Sequence, residues 1–422
     1  MLGFAPSNLQ ATSGMNAMGG TVPVPYDLND EFITADDAPV ASPRTCEPGP
    51  GALTFVETDG TWAVSGGNLD FTEQSTPAWG DQGFYGDAVA RVAGRMFMTV
   101  LNPSATNKEM WFGWSVNQRV TSDFPADGAA MAGFHSTSTP LRLRNDDKYI
   151  TLSTVNYSTS TDYNVAIILR SAGSFIYMKG GAYTDWSLLY VEDTDSTATL
   201  YPVVSVKNHS GSFDDFRIPS LPYIPTPLAY DTFTRDDSDS LGSTETTGPD
   251  GQGCVARAWT ESNGDWDIIS NKAQSVGSAP GGASWVLSTD VTDSDMFVEC
   301  VQQSTSASGD IGIVWRYTDN DNLWAALGSV SSNTWILYER TTGTWNNRAS
   351  GTPTLSATTD YNLKASVAGN VHNVWLDDAN HLTYTSVSHI TATKAGIRSG
   401  LANNKVDSFT SWPINPQDFP KV

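Results

Sequence analysis

Two kinds of residue cluster in this chain could do chemistry. Asp236-Asp237-Ser238-Asp239 and Asp319-Asn320-Asp321-Asn322 crowd side-chain oxygens into turn-like stretches. A hard divalent cation takes about six to eight oxygen ligands, so Asp236, Asp237, Asp239, Asp319 and Asp321 are candidate calcium ligands. Neither stretch has the spaced Asp-x-Asp-x-Asp-Gly of a dedicated calcium loop, and a polar turn is the competing reading. Trp79, Trp186 and Trp345 form the second set, each among Gly, Asp, Asn, Thr or Pro. A sugar ring stacks its apolar C–H face on an indole while nearby Asn and Asp fix its hydroxyls, so these three are candidate glycan contacts. Burial under a loop competes with that reading. Trp62, Trp266 and Trp315 stand in apolar runs and are expected in the core.

Other chemistries lack their residues. His135, His209, His372, His381 and His389 form no His-Glu-x-x-His and no close pairing with cysteine, which leaves a zinc site without ligands. A Gly-x-Ser-x-Gly elbow and a phosphate-cradling glycine loop are both absent. No catalytic residue is assigned and the chain is expected not to be an enzyme. No cofactor is expected beyond the calcium ion considered above.

The elements that would position these groups come in two sets. Tyr26-Asp27 with Phe32 is answered by Tyr230-Asp231 with Phe233, and Gly60-Thr61-Trp62 by Gly264-Asp265-Trp266. Ser160-Thr161-Asp162-Tyr163-Asn164-Val165 is answered by Thr358-Thr359-Asp360-Tyr361-Asn362-Leu363. Phe213-Asp214-Asp215-Phe216 is answered by Phe409-Thr410-Ser411-Trp412. The same landmarks in the same order mark a tandem duplication. Between them lie short runs rich in Val, Ile, Thr and aromatics, bounded by Gly, Asn, Asp and Ser, with no helical apolar stripe. The class is all-β, two tandem antiparallel jelly-roll sandwiches.

The expected domains are an extended arm over 1–25, a first sandwich over 26–218, a second over 229–414 and a tail over 415–422. Residues 219–228 join the sandwiches, and their prolines predict a stiff linker that holds the two apart. The arm reads either as a disordered tail or as a segment that orders on a neighbouring subunit.

The chain carries 23 basic and 46 acidic residues, a net charge of −23, which disfavours a phosphate backbone as partner. Cys46, Cys254 and Cys300 show no C-x-x-C spacing and are expected as free thiols. No apolar run is long enough for a membrane helix, and the opening residues lack the pattern of a secretion signal.

Each copy resembles a laminin-G or concanavalin-like jelly roll. The resemblance rests on the Asp and Phe of the first strand, the Gly-x-Trp strand, the Tyr-Asn strand and the Phe-Asp-Asp-Phe closing strand. Asp310–Tyr317, Leu323–Leu327 and Ala395–Leu401 are similar to further strands of that family. Retaining glucanases on this sandwich carry Glu-x-Asp-x-x-Glu; Glu57-Thr58-Asp59-Gly60-Thr61-Trp62 has Trp where the second Glu must stand. Without secretion signal or catalytic motif, the whole is similar to virion proteins of tailed bacteriophages. That resemblance implies a non-enzymatic capsid-decoration or tail component located in the virion. Its partners would be other virion proteins, itself and a cell-surface glycan. A lectin-like glycan-binding module and a glycoside hydrolase are the alternatives.

Overall fold

The computed structural model describes residues 26–32, 44–46, 49–57, 60–73, 82–103, 109–116, 128–135, 139–145, 148–153, 158–159, 161–193, 199–207, 211–278 and 284–420. The expected arm over 1–25, Trp79 and His209 lie outside them. The described residues are strands and turns without a helix, so none of them offers a helix long and apolar enough to cross a membrane.

The strands form four antiparallel sheets, two in each half of the chain. In the first half one sheet runs Tyr183–Glu192, Ser174–Gly180, Tyr163–Leu169, Met96–Pro103, Gly211–Pro219, Asn68–Glu73, Gly60–Ser65. In the second half the corresponding sheet runs Asn380–Thr385, Val371–Leu376, Asp360–Ala368, Met296–Gln303, Lys405–Pro413, Ala273–Val276, Asp265–Ile268. Tyr26–Asp30 and Ala229–Asp231 pair off the matching strands, Gly211–Pro219 and Lys405–Pro413. The facing sheets also match. Lys148–Ser153, Thr139–Asn145, Gly128–His135, Glu109–Ser115, Thr199–Lys207, Gln82–Gly86, Ala52–Glu57 corresponds to Thr344–Gly351, Thr334–Thr341, Asn322–Ser329, Asp310–Asp319, Lys394–Ser399, Trp285–Asp290, Thr260–Asn263. Two jelly-roll sandwiches with one strand order are the structural form of the duplication.

The repeated landmarks are structural. Asp30 and Asp231, both fully buried, each accept the backbone N–H of the Phe two residues on. Those residues, Phe32 and Phe233, sit at φ of 49° and 56°, a region a bulky side chain enters only when its surroundings hold it there. Arg44 and Arg235 close the carboxylates from the other side. Tyr163 and Tyr361 each accept, on the phenol oxygen, the N–H of the serine five residues back, Ser158 and Ser356. Trp62 lies among Phe71, Phe84 and Phe213 at ring-centroid distances of 4.7, 5.3 and 5.9 Å, and Trp266 is equally buried in the other core.

The two sandwiches are not held apart. The outer faces of the two eight-stranded sheets meet, burying Phe175 against Trp412 at 4.7 Å, and Tyr190 against Phe297 at 6.0 Å and Trp375 at 5.1 Å. The Trp375 indole donates to the Thr151 carbonyl across the joint. The linker follows this packing: Tyr223 N–H bonds Gly94 O, and Leu228 N–H bonds Ser411 O. Phe419 of the C-terminal segment packs on Tyr177, Trp186 and Tyr223. Proline stiffness restricts the linker's path, but the apolar area offered by the two faces decides where it leads.

Charges cross the same joint. Lys364, with no exposed surface, places Nζ 2.8 Å from Asp193 Oδ2 and 3.0 Å from Asp378 Oδ1. Arg170 reaches Asp193 at 2.7 Å and Asp250 at 3.2 Å. Burial works against the Asp193 carboxylate, yet Lys364 and Arg170 hold its pKa down at about 2.

Candidate functional site

The seven-stranded sheet of the second half turns its outer face away from the joint. On that face Val286, Val314, Tyr317, Leu323, Ala325 and Leu327 form an apolar patch separate from the core between the sheets. Alternation along paired strands puts them there: Val286 lies opposite Arg398, Val314 opposite Ala325, and Ala325 opposite Tyr338. Tyr338 and Trp345 pack on this patch from the edge, their rings 5.3 Å apart in a T-shape.

A groove of about 380 Å³ runs over it, lined by Asp310, Leu327, Ser332, Tyr338, Trp345 and Arg398 among others. Arg398 comes from Lys394–Ser399, and its neighbour in register is Gly312, where a side chain would strike Leu327. Its guanidinium carbon is 5.5 Å from the Trp345 ring centre; that of Arg340, on the next strand, is 5.0 Å away. Arg398 Nη1 and Asp310 Oδ2 are 3.9 Å apart, too far for a hydrogen bond. Burial lowers the Arg398 pKa against the raising effect of Asp310. Trp345 and Tyr338 each keep part of their surface open. The arrangement joins an aromatic platform to a cation–anion pair with unsatisfied capacity between its members.

The other residues singled out from sequence are placed differently. Trp186 is on Tyr183–Glu192, with Phe419 stacked on it at 4.6 Å and 24°. It also borders a small hollow of about 110 Å³ with Lys179 and Arg217. Trp345 and Trp186 are therefore on different sheets of different halves. Asp236, Asp237 and Asp239 are exposed, and Asp237 accepts the Ser270 N–H. Asp319 accepts from Asp321 N–H and Asn322 Nδ2, while Asp321 pairs with Arg340 at 3.2 Å. Among the described residues no three His, Cys, Asp or Glu side chains converge as metal ligands would. His372 is a core residue: it accepts the Trp315 indole N–H on Nδ1, faces Ser386 O with Nε2, and burial pushes its pKa down to about 3. Cys46, Cys254 and Cys300 are free thiols; Cys46 and Cys300 are buried and Cys254 is partly so.

Arg398, Asp310 and Tyr338 went unnoticed in the sequence. Arg398 stands in Gly396-Ile397-Arg398-Ser399-Gly400, where the alternation of a strand puts it on the face opposite Ile397. That signal was readable, but which strands would lie beside it was not.

No family model matches this chain, and no curated protein does. Among solved structures it is similar to the carbohydrate-binding module CBM66 from Bacillus subtilis, with 15% identity and a TM-score of 0.30, over 37% of this chain and 93% of that one. It is similar to domains LG4-5 of the mouse laminin alpha1 chain, with 10% identity and a TM-score of 0.21, over 91% and 100%. The galectin LEC-6 of Caenorhabditis elegans is another, with 12% identity and a TM-score of 0.24, over 28% and 83%. The jelly-roll assignment rests on the strand order described above, and these likenesses carry no functional argument.

Proposed function

We propose that this protein is a non-enzymatic carbohydrate-binding protein whose site is the groove on the outer face of the second half. One observation carries the reading: partly open Trp345 and Tyr338 line the same groove as Arg398 and Asp310, held 3.9 Å apart. A sugar ring lays its C–H face on the indole, and two neighbouring hydroxyls bridge the guanidinium and the carboxylate, one accepting and one donating. Of the residues lining the groove, Asp310 is the one carboxylate. Glycoside hydrolysis by the usual route needs two carboxyl groups flanking the bond, which supports binding without cleavage. The virion role expected from the resemblance of the whole chain has no observation among the described residues behind it, so the groove and not assembly carries this proposal.

The test is a glycan array on the full chain, followed by calorimetric titration of the best hit against Trp345→Ala and Arg398→Met. Each substitution is expected to weaken binding by about tenfold or more, the size of a lost stacking or charged hydrogen-bond contact. A hit bound equally well by both variants places the site elsewhere and sinks the proposal.

A further inference from the structure

Around the cations Lys364 and Arg170 the joint gathers an excess of acidic groups. Asp193, Glu192 and the phenol of Tyr190 come from the first half, and Asp250, Asp378 and Glu299 from the second. Both cations are already occupied. Lys364 Nζ serves Asp193, Asp378, the Val191 carbonyl at 2.9 Å and the Tyr190 hydroxyl at 3.3 Å, which uses all its hydrogens. Arg170 serves Asp193 and Asp250, and its guanidinium carbon lies 5.4 Å from the Trp412 ring centre and 5.1 Å from that of Phe175.

Glu299 is the carboxyl group left without a cation. It is the direct cross-strand neighbour of Lys364, yet among the described residues no basic group comes within ion-pair distance of it. Its side chain is buried; Oε1 accepts the Trp412 indole N–H at 3.1 Å and Oε2 has no partner. Its other cross-strand neighbour, Thr410, brings no charge, and Cys300, next on the strand, belongs to the opposite core with its thiol pKa pushed up by burial. An ionised carboxylate here is dry, unpaired and close to the charge of Asp193, whereas a protonated one buries no charge. Trp412 carries the consequence across the joint, because its ring packs on Phe175 of the other half at 4.7 Å.

We propose that Glu299 is a proton-operated latch on the joint: protonated, it lets the two sandwiches close, and ionised, it favours their parting while each stays folded. Each half has its own core to keep, around Trp62 and Phe84 in the first and around Trp266 and Trp315 in the second. Parting uncovers Phe175, Tyr190, Phe297 and Trp375, an aromatic surface that the closed form hides. The sign of the response follows from the closed geometry. Burial first, and then Asp193, raise the carboxyl pKa to about 7 when the joint is shut, and water returns it to the ordinary range when the joint opens. The closed form therefore holds the extra proton. Its opening constant rises about tenfold per pH unit between about 4.5 and about 7 and levels off above.

The experiment follows hydrogen exchange by NMR on the full chain and on Glu299→Gln at pH 5 and pH 8, corrected for the intrinsic pH dependence of exchange. Two hydrogen bonds cross the joint and report on it: the Trp375 indole N–H to Thr151 O, and the Leu188 amide to Ile414 O. Two indoles bonded within one half serve as controls, Trp114 to Ile167 O and Trp285 to Val276 O. From pH 5 to pH 8 the protection of the crossing pair is expected to fall by on the order of a hundredfold, with the controls unchanged. Glu299→Gln keeps an acceptor for Trp412 and should abolish the fall. An equal fall at all four hydrogens would mean that the whole molecule is destabilised, and a fall that persists in Glu299→Gln would assign it to another group; either overturns the latch. So does a crossing pair that stays protected at pH 8. Should Glu299→Gln not fold, the carbon-13 resonance of the Glu299 carboxyl in the unmodified chain decides. Titration near neutral pH is expected, and titration in the ordinary carboxylate range overturns the proposal.

Discussion

The two halves share a strand order and differ in what they put on their outer faces. Tyr163 and Tyr361 fix the alignment; three residues on stand Ala166 and Lys364, paired with Met98 and Glu299. One half thus has an apolar pair where the other has a charged one, on faces that both lie inside the assembled molecule. The remaining outer faces diverge as well. In the first half Trp111, 1% exposed, folds over Gly133, where a Cβ would come within 2.6 Å of the ring, and packs with Met131 and Val203. In the second half the indole of this face, Trp345, is on the edge strand, and Arg398 is on an inner strand beside the groove. Duplication preserved what closes a sandwich and released the outer faces to specialise.

That comparison breaks most sharply at the joint. Trp412→Ala is expected to cost about 4 kcal/mol, the range for deleting a buried indole. Hydrogen exchange should then show lost protection in Lys405–Pro413 and also in Ser174–Gly180, where Phe175 packs on it. Trp62→Ala should cost a similar amount with the loss confined to the first half. Protection lost in only one half of the Trp412→Ala chain would mean that the sheets do not share a core.

Lys364→Met comes next. It leaves Asp378 without its buried cation and Asp193 with Arg170 alone, an expected loss of about 3 kcal/mol by denaturant titration. Ala166→Met, at the equivalent place, changes no charge and should cost less.

Glu299 gives a pH-dependent test. Burial first, and then the charge of Asp193, raise its pKa to about 7 against the pull of Arg170 and Lys364; one carboxylate oxygen accepts the Trp412 indole N–H and the other has no partner. A carboxyl with a raised folded-state pKa binds more protons folded than unfolded, so its contribution falls as pH rises from about 4.5 to about 7. Glu299→Gln should therefore be more stable than the unmodified chain at pH 8, by on the order of 2 kcal/mol, and equal to it near pH 4. An unchanged difference across that range would show that folding leaves the Glu299 pKa at its unfolded value.

The smallest effects sharpen the likeness of the halves. Asp30→Asn should cost about 1.5 kcal/mol and Asp231→Asn about 2 kcal/mol. The second is larger because Asp231 also accepts the Trp259 indole N–H at 2.6 Å. Thermal unfolding of the two variants checks the order.

Much of the scaffold was legible. Asp30 and Asp231 with their phenylalanines, Tyr163 and Tyr361, and the core indoles Trp62, Trp266 and Trp315 are local or repeated signals, and each has a local or core role. The candidate site was legible only at Trp345. Arg398 and Asp310 lie on different strands from it, and strand neighbours are set by sheet topology.

The sequence by itself determined the all-β class, the duplication and the residues that close each sandwich, because alternation and turn chemistry act over a few residues. Tertiary structure alone decided that the sandwiches meet. Asp360–Ala368 has five consecutive buried positions, Leu363 to Val367, including Lys364. A strand covered on both faces loses its alternation, and a lysine in sequence looks the same whether water or another sheet awaits it. The groove follows from those packings, on the face left open.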